Sequence, residues 1–341
     1  MKRVAPLLDR LQRTTRRFVY DHARIETPHH PALELYSSSS QDIQTLRMEV
    51  FPSDSHTWNG GLCELHNVFT MIVEHKNDWL RSHTSFARCG RYFAIIDGNP
   101  GSTPLLHLAP PYDGHWNEDE LAEAVRALLD VVARRVLGNG RLIVKSDDRA
   151  RNEIISTISS SSSPFGVAFT PTFTWTNSRL VIPQDRLEAF NEAVSGLVCP
   201  PGFTIDNVDP DGDVKTIHEC WESLGQLEDR RVMRQLLHNL PSVAIRRECN
   251  GRLAAWEHSS AHLTMSNMHT LPEYRHAGLG SIAAMELMRK YVSLGLRVNA
   301  HVADYNTKGR LWEGSGYLDW HRDPKNGEPV TWHLTQFERN N

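Results

Sequence analysis

The sequence predicts a two-domain protein of the α/β (α+β) class, and three observations carry that expectation. The chain has 341 residues, room for two domains of ordinary size. Short apolar, strand-like runs alternate with amphipathic helical segments in both halves. Between the halves, Cys199-Pro200-Pro201-Gly202 interrupts any regular element. The expected domains are 1–190 and 201–341.

Composition narrows the function classes. Hydrophobic residues make up 40% and charged residues 23%, which supports an ordinary core. No apolar run approaches the roughly 20 residues of a membrane span. With 37 Lys and Arg against 41 Asp and Glu, the net charge of -4 gives no general attraction to nucleic acid or acidic lipid. The five cysteines, Cys63, Cys89, Cys199, Cys220 and Cys249, contain no C-x-x-C pair. They read as reduced, non-catalytic thiols, with neither a disulfide framework nor a zinc ribbon, and no metal site is expected.

The elements follow in chain order. Lys2, Arg3, Arg10, Arg13, Arg16 and Arg17 face one acid, Asp9, and Val4, Leu7, Leu8 and Leu11 recur at helical spacing. Two readings of residues 1–20 stand open: a mitochondrial presequence, or a first helix docked on a cytoplasmic protein. The serines at 37–40 read as a loop. Segments 66–74 (HNVFTMIVE) and 91–97 (RYFAIID) read as short buried strands, and 118–137 as a helix whose apolar face is Leu121, Val125, Leu128, Leu129, Val132 and Val136. A strand at 141–145, a helix at 147–158, strands at 166–175 and 179–182 and a linking helix at 185–194 complete this half. In the second half a strand at 203–208 leads to helices at 213–221, with Ile217 and Trp221 turned inward, and at 228–240. Strands at 242–247 and 252–257 flank Asn250-Gly251, a hairpin turn signal. A third strand is expected at 262–270.

The most informative segment comes next. Arg275-His276-Ala277-Gly278-Leu279-Gly280 has the form R-x-x-G-x-G and lies between that strand and an amphipathic helix at 279–294. Unpaired N–H groups at a helix start, together with the helix dipole, make an anion site. Glycines there let a pyrophosphate approach the backbone closely. The Lys-Ser/Thr end of a Walker loop is absent, as is the third glycine of a dinucleotide fingerprint. A strand at 298–303 follows, then Asn306 opening a short helix that ends near Gly316-Tyr317.

This order of elements resembles the GNAT superfamily of CoA-dependent N-acyltransferases. The string Thr270-Leu271-Pro272-Glu273-Tyr274-Arg275 with Gly278-Leu279 more narrowly resembles the glycine N-acyltransferase family. Trp221, Trp256, His301-Val302 and Asp304-Tyr305-Asn306 share in that likeness, which covers roughly 203–321. The resemblance implies a C-terminal GNAT fold, with a mixed central sheet flanked by helices, and a degenerate GNAT-like N-terminal α/β domain. It implies acyl transfer from acyl-CoA to the amine of glycine or another small amino acid by direct attack in a ternary complex. No cofactor would be bound permanently, because acyl-CoA is a co-substrate. The partners would be small molecules, not nucleic acid.

By the same resemblance, the backbone amides of His276, Ala277, Gly278, Leu279, Gly280 and Ser281 would hold the CoA pyrophosphate. The strand edge of Met268, Thr270 and Leu271 would pair with the pantetheine arm. Arg275 would reach a phosphate, or be a surface arginine. Asn306 would contact the pantetheine, cap a helix, or do both.

Two positions depart from the family pattern. An amine nucleophile needs a base, and the family's glutamate, six residues before the threonine of the string, is here Thr264, which cannot serve. Glu257 ranks first as its replacement and His262 second, with His258 and His269 as neighbours. Period-2 alternation puts His262, Thr264, Ser266 and Met268 on one strand face and His269 on the other. Trp312 stands where many GNAT enzymes place a tyrosine acid, which leaves Tyr305 and Tyr317 as candidates. The candidate catalytic positions are therefore Glu257, His262, Thr264 and Tyr305. Arg246, Arg247, Arg297 and Arg310 are the available cations for a substrate carboxylate. Two alternatives remain open: acetyl transfer to a protein or polyamine, and a CoA-binding pseudoenzyme.

Overall fold

The computed structural model describes residues 33–36, 42–44, 46, 51, 62–97, 103–111, 116–136, 140–160, 163–221, 229–304, 306, 317–323 and 326–340. The basic segment 1–20, the serines 37–40, Tyr305, Arg310, Trp312 and the segment after Asn306 where a short helix is expected lie outside the described residues. The described strands are β1 (Leu33–Tyr36), β2 (Thr84–Cys89), β3 (Tyr92–Asp97), β4 (Leu105–Ala109), β5 (Arg141–Asp147), β6 (Phe169–Val181), β7 (Phe203–Asp206), β8 (Ser242–Arg247), β9 (Leu253–Ser259), β10 (Met265–Thr270), β11 (Asn299–Ala303), β12 (Asp319–Trp320) and β13 (Thr331–Arg339). The helices are α1 (Cys63–Val73), α2 (Asp78–His83), α3 (Glu118–Val136), α4 (Asp148–Ser159), α5 (Leu187–Ser195), α6 (Val214–Cys220), α7 (Arg230–Asn239) and α8 (Leu279–Ser293).

All these strands join one mixed sheet in the order β1-β2-β3-β4-β5-β13-β6-β11-β10-β9-β8-β7, with β12 also on β6. The β4–β5 and β10–β11 pairs are parallel. The expected mixed sheet flanked by helices is thus present. Its least local feature is β13, which runs antiparallel to both β5 and β6.

Three apolar layers cover the sheet. Leu121, Val125, Leu128, Leu129 and Val132 of α3 pack with Ile154 and Ile158 of α4 on one face of β2–β5, the stripe that periodicity predicts. Ile217 of α6 and Met233 and Leu237 of α7 enclose Trp256 behind β8 and β9. The opposite face carries α1, α2, α5 and α8 in one continuous core, from Phe69 and Phe86 to Leu287 and Tyr291.

Segment 66–74 corrects the expectation of a strand, because it is most of α1. Every residue from Cys63 to Ile72 is buried, Glu64, His66, Asn67 and Thr70 included, so the helix has no solvent-facing side for a helical period to reveal. A short, wholly buried helix and a buried strand look alike in sequence. Asn67 anchors it: its Nδ2 donates to the C=O of Leu263 at 3.1 Å and of Arg297 at 2.8 Å, and its Oδ1 accepts from Arg297 N–H at 2.6 Å.

Two smaller corrections concern strands. The expected pair at 166–175 and 179–182 is the single long β6. The strand expected from 262 begins only at Met265, because Ser260, Leu263 and Thr264 close a turn through Leu263 N–H to Ser260 C=O and Ser260 N–H to Thr264 C=O, both 2.9 Å. Leu263 and Asn267 have positive φ of 54° and 53°, and the β9–β10 register shifts between Ser266 and His269. The simple alternation expected across 262–269 therefore does not hold.

Candidate active site

The R-x-x-G-x-G turn forms the entry to α8. Gly278 takes φ +74° in the left-handed region, where an alanine would be strained although no atom lies within 4 Å of its missing Cβ. His276 also has positive φ, 66°. The first backbone hydrogen bond into the helix is Ile282 N–H to Gly278 C=O at 3.2 Å. The N–H groups of Leu279, Gly280 and Ser281 thus begin the helix as outward donors. Gly280 is held closely, since a Cβ there would lie 3.1 Å from Thr270 Oγ1 and 3.9 Å from Met268 Sδ. Leu279 is buried, while His276, Ala277, Gly278 and Ser281 are exposed. Arg275 folds back, its Nε donating to Thr270 C=O at 3.1 Å.

Beside the turn, β10 and β11 pair at one register position, Met265 with Ala300. The strands then part, and a cavity of about 680 Å³ occupies the gap. Met268, Arg275 and Asn306 line its mouth, and Met268 is 41% exposed. Asn306 N–H donates to Ala303 C=O at 2.8 Å. Leu271 N–H is already taken by Ala254 C=O at 2.9 Å, so it serves β9 rather than a ligand.

Deeper in, Glu257, His262, Thr264, Lys145, His301 and Trp332 line the same cavity. Glu257 is 5% exposed, and its Oε2 has no hydrogen-bond partner among the described residues. Burial pushes its carboxyl up to about 8. Burial, and then the charge of Lys145, lower His262 to about 3, which leaves a neutral ring with little basicity at pH 7. His258 is also lowered by burial, and its Nδ1 meets Ser259 C=O at 3.0 Å. His269 stacks on Trp256 with ring centroids 4.9 Å apart.

Thr264 meets an unexpected neighbour. Its Oγ1 is 3.5 Å from Oε1 of Glu64, a carboxylate 200 positions earlier in the chain and fully buried on α1. The same oxygen accepts from Arg179 Nη2 at 2.6 Å and from Lys145 Nζ at 2.8 Å, and lies 3.1 Å from His301 Nε2. Burial alone would raise this carboxyl, but Arg179 and then Lys145 outweigh it and hold Glu64 well below the ordinary carboxylate range. Burial lowers Lys145 to about 8, with Glu64 opposing. The Arg179 guanidinium lies 3.7 Å over the Trp332 ring. These contacts join α1, β5, β6, β11 and β13, and sequence spacing gave no sign of them.

Three of the four arginines available from sequence have other employment. Arg246 pairs with Asp213 and Asp206, Arg247 lies over Phe203, and Arg297 Nη1 donates to Gln184 Oε1. Tyr317 packs edge-on against Phe190 and is not among the residues lining the cavity. All five cysteines are free. Among the described residues no group of His, Cys, Asp and Glu could hold a metal ion, and no helix is long and apolar enough to cross a membrane.

No family model matches the chain. Among solved structures it is similar to a Drosophila melanogaster protein, with a TM-score of 0.60 and 16% identity over 89% of this chain and 98% of that one. That likeness is one of fold. A tandem GNAT protein from the clavulanic acid biosynthesis pathway matches with a TM-score of 0.46 and 12% identity, over 89% of this chain and 98% of that one. A putative GNAT-family acetyltransferase from Novosphingobium aromaticivorans gives 0.45 and 12%, over 74% and 90%.

Proposed function

We propose that the protein is an acyl-CoA-dependent N-acyltransferase of the GNAT type, and that it acylates the amine of glycine or another small amino acid. One observation carries the reading. The glycine turn at the start of α8 opens beside the parted strands β10 and β11, and the cavity between them has Glu257 in its wall.

In the proposed reaction the turn binds the CoA pyrophosphate, and the parted edge of β10 takes the pantetheine arm as an added strand. The amine nitrogen attacks the thioester carbonyl carbon, the carbon–sulfur bond breaks, and CoA leaves as a thiolate. Glu257 in its ionised form accepts the proton that the ammonium must lose. A carboxyl at about 8 is close in basicity to an amine and still ionised in part at neutral pH. His262, at about 3, suits hydrogen bonding better than proton removal. Glu257 thus stands ahead of His262 as base. Thr264 holds Glu64 rather than the proton, and Tyr305 remains a candidate acid. A thiolate needs little help in leaving at neutral pH.

The division into 1–190 and 201–341 belongs to this proposal, as do a GNAT-like origin for both parts and mitochondrial import directed by residues 1–20. A proteolytic nick between 196 and 202 would leave the two fragments associated, since β13 pairs with β5 and β6. Cell fractionation with and without residues 1–20 tests the import.

The decisive assay is thiol release from acetyl-, butyryl- and benzoyl-CoA, crossed against the twenty amino acids. Amine-dependent release supports the reading. Absence of release with a CoA-induced rise in Tm would favour a pseudoenzyme or a macromolecular acceptor, and absence of both would remove the assignment of the turn.

A further inference from the structure

The inner wall of the cavity carries more hydrogen-bond donors than the protein uses. Lys145 is 8% exposed, and its ammonium has three protons. It donates one of them, to Glu64 Oε1 at 2.8 Å, an oxygen it shares with Arg179. His262 is 2% exposed, and neither of its ring nitrogens has a partner among the described residues. Its ring lies edge-on to that of His107, 5.7 Å away, and His107 is the register partner of Lys145 across β4 and β5. Both Lys145 and His262 line the cavity. A neutral imidazole always carries one N–H, and a buried N–H without an acceptor is costly.

We infer that Lys145 and His262 form a subsite for the carboxylate of the acceptor, so that the substrates are free amino acids rather than simple amines or protein lysines. This rests on the acyl-transfer reading given above, which it makes specific. The wall offers a cation and a neutral donor, a pair that suits a singly charged carboxylate. Glu257 lines the same cavity with one oxygen unpartnered, so the cavity offers an acceptor as well as donors, the two kinds of group that an amino acid's ammonium and carboxylate need.

The other acid lining the cavity, Asp97, does not compete for Lys145. It is level with Leu105 and Ile143, two strands from β5 or roughly 10 Å away, and one alternation step short of Lys145.

The test is calorimetric titration of glycine and glycinamide into the CoA-saturated full chain, for wild type, Lys145→Met and His262→Leu. A single cooperative thermal transition certifies that each variant is folded. His262→Leu removes no charge from the Glu64 cluster, so it remains informative if Lys145→Met does not fold. Wild type should bind glycine at least tenfold more tightly than glycinamide. Each folded variant should lose most of that preference through weaker glycine binding. Equal affinity of the wild type for the two ligands, or an undiminished preference in the folded variants, overturns the subsite. Thiol release from acetyl-, butyryl- and benzoyl-CoA, followed in parallel, separates the subsite from the transferase reading. Carboxylate-selective binding without thiol release keeps the subsite and removes the transferase reading, and thiol release without carboxylate selectivity does the reverse.

Discussion

Two regions meet the cavity, an outer one through Arg275 and an inner one through Lys145 and His301, and they are built on opposite principles. The outer end, from Arg275 to Ser281, is contiguous in sequence, mostly exposed, and works through backbone N–H groups and positive φ angles. The inner end is assembled from side chains of α1, β5, β6 and β11, fully or nearly buried, and gathered around a single oxygen of Glu64. At the outer end a substitution should alter binding and leave the core intact. At the inner end binding and folding draw on the same groups, so a substitution should disturb both.

Removing Glu64 tests that contrast most severely. Glu64→Leu would leave Lys145 and Arg179 buried beside one another without their shared acceptor. A loss of about 3–5 kcal/mol in stability is expected, read from urea unfolding. The pH dependence has a definite sign. Because the folded pKa lies below the ordinary 4.5, the contribution of Glu64 is complete above about that pH. It is lost as pH falls through the folded value. The variant should therefore lack the acid limb that Glu64 adds to the wild-type stability profile, and an unchanged acid limb would show that the cluster does not hold the fold.

Glu257→Gln separates catalysis from stability at one position. Thiol release should fall about 100-fold, while the fold becomes more stable at alkaline pH. The folded pKa of about 8 lies above the ordinary 4.5. Below 4.5 both states are protonated, so the burial costs nothing. Between 4.5 and 8 the unfolded chain ionises and the folded one does not, and stability declines. Glutamine has no such decline, so the variant should gain several degrees of Tm at pH 8 and nearly none at pH 4.5. The thiol-release profile of the wild type should rise as pH climbs toward about 8. Lower activity without the alkaline gain in Tm would place Glu257 outside the buried environment described.

These two carboxylates also measure how much the sequence discloses. The turn at 275–280 was legible because its glycines, its flanking strand and its helix are neighbours in the chain, and local order is what a linear reading captures. The α3 stripe was legible for the same reason: one face of it is polar. Glu64 was hidden twice, first inside a helix buried on all sides and then by 200 positions of separation from Thr264. The departure at Thr264 was visible as a missing glutamate, but nothing local could say that a carboxylate from α1 meets it. Strand β13 was likewise invisible, because insertion between β5 and β6 depends on partners far away. The alternation expected across 262–269 failed at Leu263 and Asn267, both at positive φ; leucine is rarely found there, and asparagine's enrichment in that region does not mark which asparagine adopts it.

Gly278→Ala moves the comparison to the outer end. No atom lies within 4 Å of the added methyl group, so the whole effect comes from φ at +74°. A cost of about 1–2 kcal/mol is expected, expressed partly as reshaping of the turn. CoA should bind several-fold more weakly, and the Tm of the CoA-free protein should drop far less than for Glu64→Leu. A variant with lower Tm and unchanged CoA affinity would mean that the turn is structural only.

Arg275→Ala should have the smallest effect and decides between two physical roles. The side chain is exposed and donates to Thr270 C=O, so it could act by its charge on a phosphate or by holding the end of β10 in place. An exposed charge contributes about 0.2–1 kcal/mol, which corresponds to a CoA dissociation constant up to about fivefold higher in the variant. If charge is responsible, the gap between wild type and variant should close as salt rises from about 0.05 M to 0.5 M, because the Debye length contracts over that range. If the bond to Thr270 is responsible, the gap should persist at high salt. Arg275→Lys divides the cases again: it keeps the charge but loses the guanidinium Nε that donates to the carbonyl, so near-wild-type affinity at low salt would assign the role to charge.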